Sequence, residues 1–471
     1  MLELIGQSKP DANEASVAIL KLETSLAQAS MDRVEMRDPY KVYHKFSPAQ
    51  FSKTSPGIDW STQIQDLGVT GADSILVAQP LFFKRLASLL DSVPIDTWKN
   101  YFRWKLVSST AASLSDNFQN ENFNFYGKVL SGAKVQELRW ERVTSKLDQY
   151  MGEALGQEYV KKAFPPQAKV RMLELIRNLK IAFAERIKAL DWMSPATKLK
   201  ALVKLNAIMV KVGYPDKWID YSKLEIIPGD NFGNYMRARE FEYNRVISRY
   251  GKPVDRTLWD MTPPTVNAYY NPGFNEIVFP AGILQPPFFD FKADDAVNYG
   301  AIGSVIGHEM THGFDDQGRL YDEKGNLKDW WTKADADKFK EKAERVVEQF
   351  NKYTVLDTMH VNGKLTLGEN LADLGGTMIA YQAFKKTAEG NSTKKIDGFT
   401  PDQRFFLGFA QVWRGNISPQ AEALRIKTDP HAPGKWRVIG PLSNNPNFYK
   451  AFNVSPGDPM YRKPDVQAQI W

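Results

Sequence analysis

The chain has 471 residues, of which 43% are hydrophobic and 25% charged, with a formal net charge of +6, so it fits one large or two smaller globular domains. The basic residues are scattered, which does not indicate a nucleic-acid-binding protein, and no apolar run is long enough to predict a transmembrane helix. Cysteine is absent, which excludes disulfides, thiolate metal sites and a cysteine nucleophile.

The first half of the chain is predicted to be mostly helical, with helices at 14–29, 98–114, 140–155 and 170–190. In the last of these, apolar residues recur every three or four positions, as on one buried helix face: Val170, Leu173, Ile176, Leu179, Phe183 and Ile187. Ser194 and Pro195 are a typical N-cap and first helical residue, and they predict a further helix that runs towards Gly213.

The second half begins with a β-hairpin and continues with helices. Residues 265–270 and 276–279 favour strands, and Asn271-Pro272-Gly273 between them predicts a turn. Helices are predicted at 297–313, 333–350, 368–384 and 401–413. The last segment, 428–471, is rich in Pro and Asn and is predicted to consist mainly of loops.

One helix contains the sequence His308-Glu309-Met310-Thr311-His312. Residues four apart share a helix face, so His308 and His312 can bind one metal ion, and Glu309 can take a proton from water. The alternative is a surface helix with two histidines by chance. Only five histidines occur in the chain, which favours the metal site.

A catalytic zinc site commonly has three protein ligands. The best third candidate is Glu369, which lies four residues before Asp373 on a Gly-flanked apolar helix. One of these carboxylates can bind the metal while the other orients a ligand histidine through its second ring nitrogen. Taken alone, this pair is also typical of a solvated surface.

His431 is a candidate for stabilising an oxyanion. Asp429 precedes it by two residues and can orient its ring, and Arg437 can bind a substrate carbonyl. A plain loop histidine is the alternative for His431. His360 and His44 have no comparable neighbours and are interpreted as structural or incidental.

These motifs resemble, in order and spacing, the neprilysin family of zinc endopeptidases, and most of all its bacterial PepO-type members. The resemblance extends over the whole chain, from Met1 to Trp471. The matching segments are 266–270, 279–289, 308–316, 368–376 and 429–437.

The resemblance implies a single zinc ion per chain, bound by His308, His312 and Glu369. It implies that Glu309 is the general base and then the proton donor to the leaving amine. It also implies that Asp373 orients His308.

The resemblance further implies that Asp315 supports His312, and that His431, braced by Asp429, stabilises the tetrahedral intermediate. Peptide substrates would pair with the backbone of an edge strand and place the side chain after the scissile bond in an apolar pocket. The substrate-binding residues implied are Asn267, Ala268 and Arg437, with Phe288, Val305 and Trp413 lining the pocket. This pocket predicts cleavage before large apolar residues.

The implied fold is α+β and mainly α: a zincin (thermolysin-like) catalytic lobe and a largely helical lobe around a cavity that admits peptides but no folded protein. The predicted division is a helical lobe at 1–215, a connecting segment at 216–260 and the catalytic lobe at 261–471.

Members of the family are longer, and the resemblance implies that part of their helical lobe precedes Met1. A clipped product, a truncated chain or a separate N-terminal fragment would account for this. The absence of cysteine favours a bacterial origin, and an extracytoplasmic (periplasmic or secreted) location is favoured over a cytoplasmic one.

Two functions compete with a peptidase. One is a peptide-binding or adhesive protein that keeps the zinc site without turnover. The other is a zinc hydrolase with a different substrate, against which the substrate-pairing residues Asn267 and Ala268 argue.

Overall fold

The computed structural model describes all 471 residues, which form two compact units. The smaller unit comprises Met1–Glu141 and Asp220–Val254, and the larger unit comprises Arg142–Ile219 and Asp255–Trp471. This division differs from the predicted boundaries at residues 215 and 260, because residues 142–215, which were predicted to belong to the helical lobe, pack in the larger unit. The assignment of a helical and a catalytic lobe stays a prediction.

The chain is mainly helical, as predicted, and no helix is both long and apolar enough to cross a membrane. Up to residue 254 the elements are α1 (Lys9–Gln28), β1 (Lys45–Phe46), α2 (Pro48–Thr54), α3 (Trp60–Asp66), β2 (Ile75–Leu76), α4 (Pro80–Ser92), α5 (Ile95–Thr110), α6 (Asp116–Asn122), α7 (Arg139–Ala163), α8 (Pro166–Ala189), α9 (Pro195–Ala207), β3 (Met209–Gly213) and α10 (Asn231–Ile247).

After residue 254 the elements are β4 (Tyr269–Asn271), β5 (Glu276–Pro280), α11 (Asp295–Asn298), α12 (Ser304–His312), α13 (Lys333–Asn351), β6 (Thr354–Leu356), β7 (Met359–His360), α14 (Leu367–Phe384), α15 (Pro401–Gln411), α16 (Pro419–Thr428), α17 (Gly434–Leu442) and α18 (Pro446–Phe452). A π-helical turn, Tyr299–Gly303, joins α11 to α12, so the helix predicted at 297–313 is present but irregular. The helices predicted at 333–350, 368–384 and 401–413 are confirmed as α13, α14 and α15.

Helix α8 lies in the core of the larger unit, but its buried face is shifted from the predicted one. Ile176, Leu179, Phe183 and Ile187 are buried, whereas Val170 and Leu173 are exposed. The smaller Ala168 and the flexible Met172 fill the first turns instead. The apolar stripe thus predicted the helix but not its rotation at the N-terminal end.

The N-cap at Ser194 is confirmed, since its hydroxyl accepts a hydrogen bond from the backbone N–H of Thr197. The predicted continuation of this helix to Gly213 is wrong. Helix α9 ends at Ala207, and residues 209–213 form β3. Val210 and Val212, two β-branched residues at strand spacing, favour this outcome.

A three-stranded sheet in the larger unit has the order β3-β5-β4. The predicted hairpin is confirmed: β4 pairs antiparallel with β5, with Tyr270 opposite Ile277. The third strand, β3, pairs parallel with β5 and places Val210 opposite Ile277. Strand β5 is therefore central and buried, and β4 is left at an edge.

Helices α12 and α14 pack so closely that glycine is required where they meet. A Cβ atom on Gly307 would lie 2.6 Å from the backbone oxygen of Gly376, and one on Gly376 would lie 2.6 Å from the backbone nitrogen of His308. The two histidines of α12 thereby face the carboxylates of α14.

The segment 428–471 is rich in loops, as predicted, but it also contains two short helices that were not predicted. Pro433 directly precedes α17, and Pro446 is the first residue of α18. Proline is tolerated at both positions because the N–H groups at a helix N-terminus have no partner within the helix. Helix α17 brings Arg437 to the buried side of α14.

Candidate metal centre and active site

The side chains of His308 and His312 meet on one face of α12. Their Nε2 atoms are 3.0 Å apart. Helix α12 ends at His312, so the two rings lie one turn apart at its C-terminal end. This is the geometry that two imidazoles four residues apart provide for one shared ion.

Each imidazole is oriented by a carboxylate on its other nitrogen. Nδ1 of His308 lies 2.8 Å from Oδ1 of Asp373, and Nδ1 of His312 lies 2.7 Å from Oδ2 of Asp315. A carboxylate accepts hydrogen bonds, so each Nδ1 carries the proton and each Nε2 presents a lone pair. The predicted positions of Asp373 and Asp315 beside the two histidines agree with these contacts.

Glu369 reaches the same point from α14. Its Oε2 lies 3.2 Å from Nε2 of His308 and 3.6 Å from Nε2 of His312. Burial alone would raise the pKa of Glu369, but the imidazoles of His312, His308 and His431, when they carry a proton on Nε2, hold it well below its usual range. A cation in place of those protons has the same effect, so the carboxylate is ionised.

These atoms fit a divalent cation. Two ring nitrogens with lone pairs and one carboxylate oxygen converge within 3.0–3.6 Å of one another. Oε2 of Glu369 is buried and has no well-aligned hydrogen-bond donor. Such a group of acceptors repels unless a cation lies among them, and two imidazoles with a carboxylate suit zinc.

Glu309 is a second carboxylate close to the two imidazoles. Its oxygen and the nitrogens of His308 and His312 all lie within 4.8 Å of one another. Glu309 is almost completely buried, and burial raises the pKa of its carboxyl group. A carboxylate held in this way accepts a proton more readily than one in water.

His431 lies at the open side of the same group. Its Nε2 is 3.1 Å from Oε2 of Glu369, and its Nδ1 is 2.7 Å from Oδ1 of Asp429. Arg425, one turn before Asp429, binds the other oxygen of that carboxylate at 2.7 Å. Although burial alone would lower it, the hydrogen-bonded carboxylate of Asp429 and the nearby carboxylate of Glu369 raise the pKa of His431 to about 9.

Arg437 binds a protein carboxylate. Its Nε and Nη2 donate to the two oxygens of Asp373, each at 2.8 Å, and its guanidinium lies 3.9 Å from the ring of Trp413. Sequence reasoning missed this pair, which joins α17 to the carboxylate beside His308. Two of the five guanidinium N–H groups are used here, so others are left for a ligand.

The predicted substrate-binding residues lie in the same unit. Exposed Asn267 and buried Ala268 come directly before edge strand β4. The three predicted pocket residues are half-buried and pack against the main core: Phe288, Val305 and Trp413.

The remaining histidines lie outside the site. His360 is an exposed residue of β7, and Nδ1 of His44 contacts the backbone oxygen of Val77. Sequence reasoning also missed Lys204, a buried cation of α9 close to the Asp315 loop, because a lysine on an amphipathic helix normally predicts a solvated face.

Comparison with known proteins gives consistent results over nearly the whole chain. Two family models, both described as Peptidase family M13, match residues 1–215 and 267–468. The chain is 36% identical to endothelin-converting enzyme 1 of Mus musculus over 484 residues, which is 100% of the chain and 62% of that enzyme. It thus spans about three fifths of the length of such relatives.

Solved structures agree. The chain is similar to the zinc metalloprotease Zmp1 of Mycobacterium tuberculosis in complex with an inhibitor, with a TM-score of 0.95 and 43% identity over 99% of this chain and 72% of that one. It is also similar to PepO of Lactobacillus rhamnosis HN001, with a TM-score of 0.91 and 29% identity over 100% of this chain and 73% of that one. The zincin fold predicted from sequence is confirmed. These comparisons do not support a separate N-terminal fragment.

Proposed function

Because this chain belongs to peptidase family M13, we propose that it is a zinc-dependent endopeptidase that hydrolyses oligopeptides. The observation that carries the proposal is the convergence of His308 Nε2, His312 Nε2 and Glu369 Oε2, with each imidazole braced by a buried aspartate. The similarity to the zinc metalloprotease Zmp1 supports it.

His308, His312 and Glu369 are the proposed ligands of one zinc ion. When bound, zinc supplies Lewis-acid catalysis by polarising a carbonyl group and making a water molecule more acidic. Asp373 and Asp315 keep the two Nε2 lone pairs directed at a common point, so no ring has to reorient when the ion enters.

Glu309 is the proposed general base. It removes one proton from the attacking water as the water oxygen bonds to the carbonyl carbon of the substrate. It then gives that proton to the amide nitrogen as the C–N bond breaks, which leaves a carboxylic acid and an amine. Its burial between the imidazoles and its raised pKa suit a group that must both take and return a proton.

His431 and Arg437 are the proposed donors to developing negative charge on the substrate oxygen and to a neighbouring carbonyl. Asp429 holds the ring of His431 with Nε2 facing Glu369. The Nε2–H group is therefore already oriented before the reaction begins. Arg437 is fixed by Asp373 and Trp413 and has further N–H groups for a substrate carbonyl.

A peptide substrate is proposed to extend along Asn267 and Ala268, next to edge strand β4, where backbone groups on the open edge can pair with it. The side chain after the scissile bond would contact Phe288, Val305 and Trp413. Large apolar residues are therefore the proposed preference at that position.

The test is cleavage of two internally quenched peptides, one with Phe and one with Asp after the scissile bond. The chain is compared with Glu309→Gln and with the matched control Glu348→Gln, an exposed glutamate of α13. Zinc content is measured for each protein. We expect cleavage before Phe only, a loss of at least about 100-fold in Glu309→Gln with zinc retained, and no change in the control.

Two results would contradict the proposal. Equal cleavage by Glu309→Gln would remove the general base from the mechanism. Zinc and peptide binding without product from any of the three proteins would instead favour the peptide-binding alternative.

A further inference from the structure

Lys204 of α9 is a buried lysine that the proposed mechanism does not use. It is only 1% exposed. Its Nζ donates hydrogen bonds to the backbone oxygens of Gly318 at 2.6 Å and Tyr321 at 2.7 Å. Three aromatic rings lie 5.6–5.9 Å from Nζ: Tyr270, Phe314 and Trp330. Burial lowers the pKa of Lys204 to about 7. Burying an amino group is unfavourable unless it is hydrogen-bonded, and the two carbonyl groups provide those hydrogen bonds.

The two carbonyls belong to the loop that carries Asp315. Oδ1 of Asp315 accepts hydrogen bonds from the backbone N–H groups of Gln317 at 2.9 Å and Gly318 at 2.7 Å. Its other oxygen, Oδ2, accepts the Nδ1–H of His312. Gly318 is therefore held on both sides, its N–H by Asp315 and its C=O by Lys204.

The position of this glycine allows little freedom. A Cβ atom on Gly318 would lie 1.7 Å from the backbone oxygen of His312, so the loop backbone packs directly against the end of the metal-site helix. A shift of Gly318 would move the carboxylate that fixes the His312 ring, because both belong to the same hydrogen-bonded turn.

We propose that Lys204 is a positioning residue of the metal site, which fixes the loop that presents Asp315 to His312. Lys204 contacts neither the proposed zinc ligands nor substrate and acts only through Asp315. A lysine amino group suits this task because it can donate to two carbonyls at once, at 2.6 and 2.7 Å. The inference rests on the proposed function, since it assumes that His312 binds zinc.

The alternative is that Lys204 contributes only to general packing. A second link between the same segments makes the two cases separable. Nδ2 of Asn275 donates to the backbone oxygens of Lys204 at 3.2 Å and Glu323 at 3.3 Å. These bonds do not involve the amino group of Lys204. Helix α9 and the loop that follows α12 therefore stay connected when that amino group is removed.

The test uses Lys204→Met, which keeps most of the aliphatic stem, and Lys204→Gln, which keeps one polar group. The matched control is Lys200→Met. Lys200 lies one turn earlier on α9 and donates to the backbone oxygen of Trp330 at 3.3 Å, outside the Asp315 loop. Two quantities are measured for each protein: the zinc dissociation constant, by competition with a chromophoric chelator, and the absorption spectrum of the Co²⁺-loaded protein.

We expect Lys204→Met to weaken zinc binding by about 10- to 100-fold and to change the Co²⁺ spectrum, whereas Lys200→Met does neither. The double variant Lys204→Met/Asp315→Asn is expected to bind zinc no more weakly than Asp315→Asn alone, because Lys204 affects His312 only through Asp315.

Three results would overturn the inference: unchanged zinc affinity in both Lys204 variants, additive losses in the double variant, or unfolding of both Lys204 variants while the control folds. The last two would assign Lys204 to general stability. A wild-type chain that binds no zinc would be a different outcome, since it refutes the proposed function itself.

Discussion

Replacing Arg437 with methionine is expected to destabilise the zinc-free protein by about 3 kcal/mol. The pair with Asp373 is bidentate at 2.8 Å, and the side chains are 8% and 2% exposed. Removing one partner of a buried pair costs about 3–5 kcal/mol, because the remaining charge is left without compensation. The lower end applies, since Asp373 keeps the hydrogen bond from His308.

The assay is urea unfolding followed by tryptophan fluorescence, with Lys333→Met as the control. Lys333 forms an ion pair with Asp337 at 2.7 Å, but the two side chains are 88% and 64% exposed, so its loss should cost less than about 1 kcal/mol. Arg437→Lys keeps the charge without the bidentate geometry and should fall between the two. Equal small losses for Arg437→Met and Lys333→Met would refute the claim that burial sets the strength of this pair.

Two further predictions concern His431 and Asp335. His431→Ala should lower kcat/KM for a quenched peptide by about 100- to 1,000-fold with zinc content unchanged, as expected for loss of an oxyanion donor, and exposed His360→Ala should have no effect; an unaltered rate would exclude His431 from the reaction. Asp335 accepts hydrogen bonds from Ser194, Thr197 and Thr332, which lower its pKa to about 2 despite burial. Its stabilisation, on the order of 2 kcal/mol, is therefore present above the ordinary pKa of 3.8 and is lost as the pH falls towards 2. The urea concentration at the unfolding midpoint should depend less on pH over that range in Asp335→Asn than in the wild type or in the exposed control Asp337→Asn. The same pH dependence in all three proteins would contradict this assignment.

The parts of the site that could be predicted from sequence are those whose partners are close along the chain. His308 and His312 are one helical turn apart, and Asp429 precedes His431 by two residues. Local geometry alone brings such groups together. The family resemblance added the pairing of His312 with Asp315, and it selected Asp373 rather than Glu369 as the carboxylate that orients His308, across 65 residues.

The parts that could not be predicted depend on which side chains become buried against distant segments. Arg437 was assigned to substrate, because nothing near it in sequence shows that Asp373 would bind it. Lys204 lies 114 residues from Gly318, and its burial follows from the packing of α9 rather than from its own neighbours. Strand β3 was missed because the apolar pattern of α9 runs into it without a break.

The parallel pairing of β3 with β5 sets an order of events during synthesis. Strand β3 leaves the ribosome before the strand it must pair with. Helix α8, which ends at Ala189, waits for α14, whose last residue, Phe384, follows by about 195 residues. At roughly 5–20 residues per second, this is an interval of about ten to forty seconds. During that time part of the apolar face of α8 lacks its native partners, including the rings of Phe314 and Trp471 that pack on Phe183, so this segment is where a nascent chain would need a chaperone.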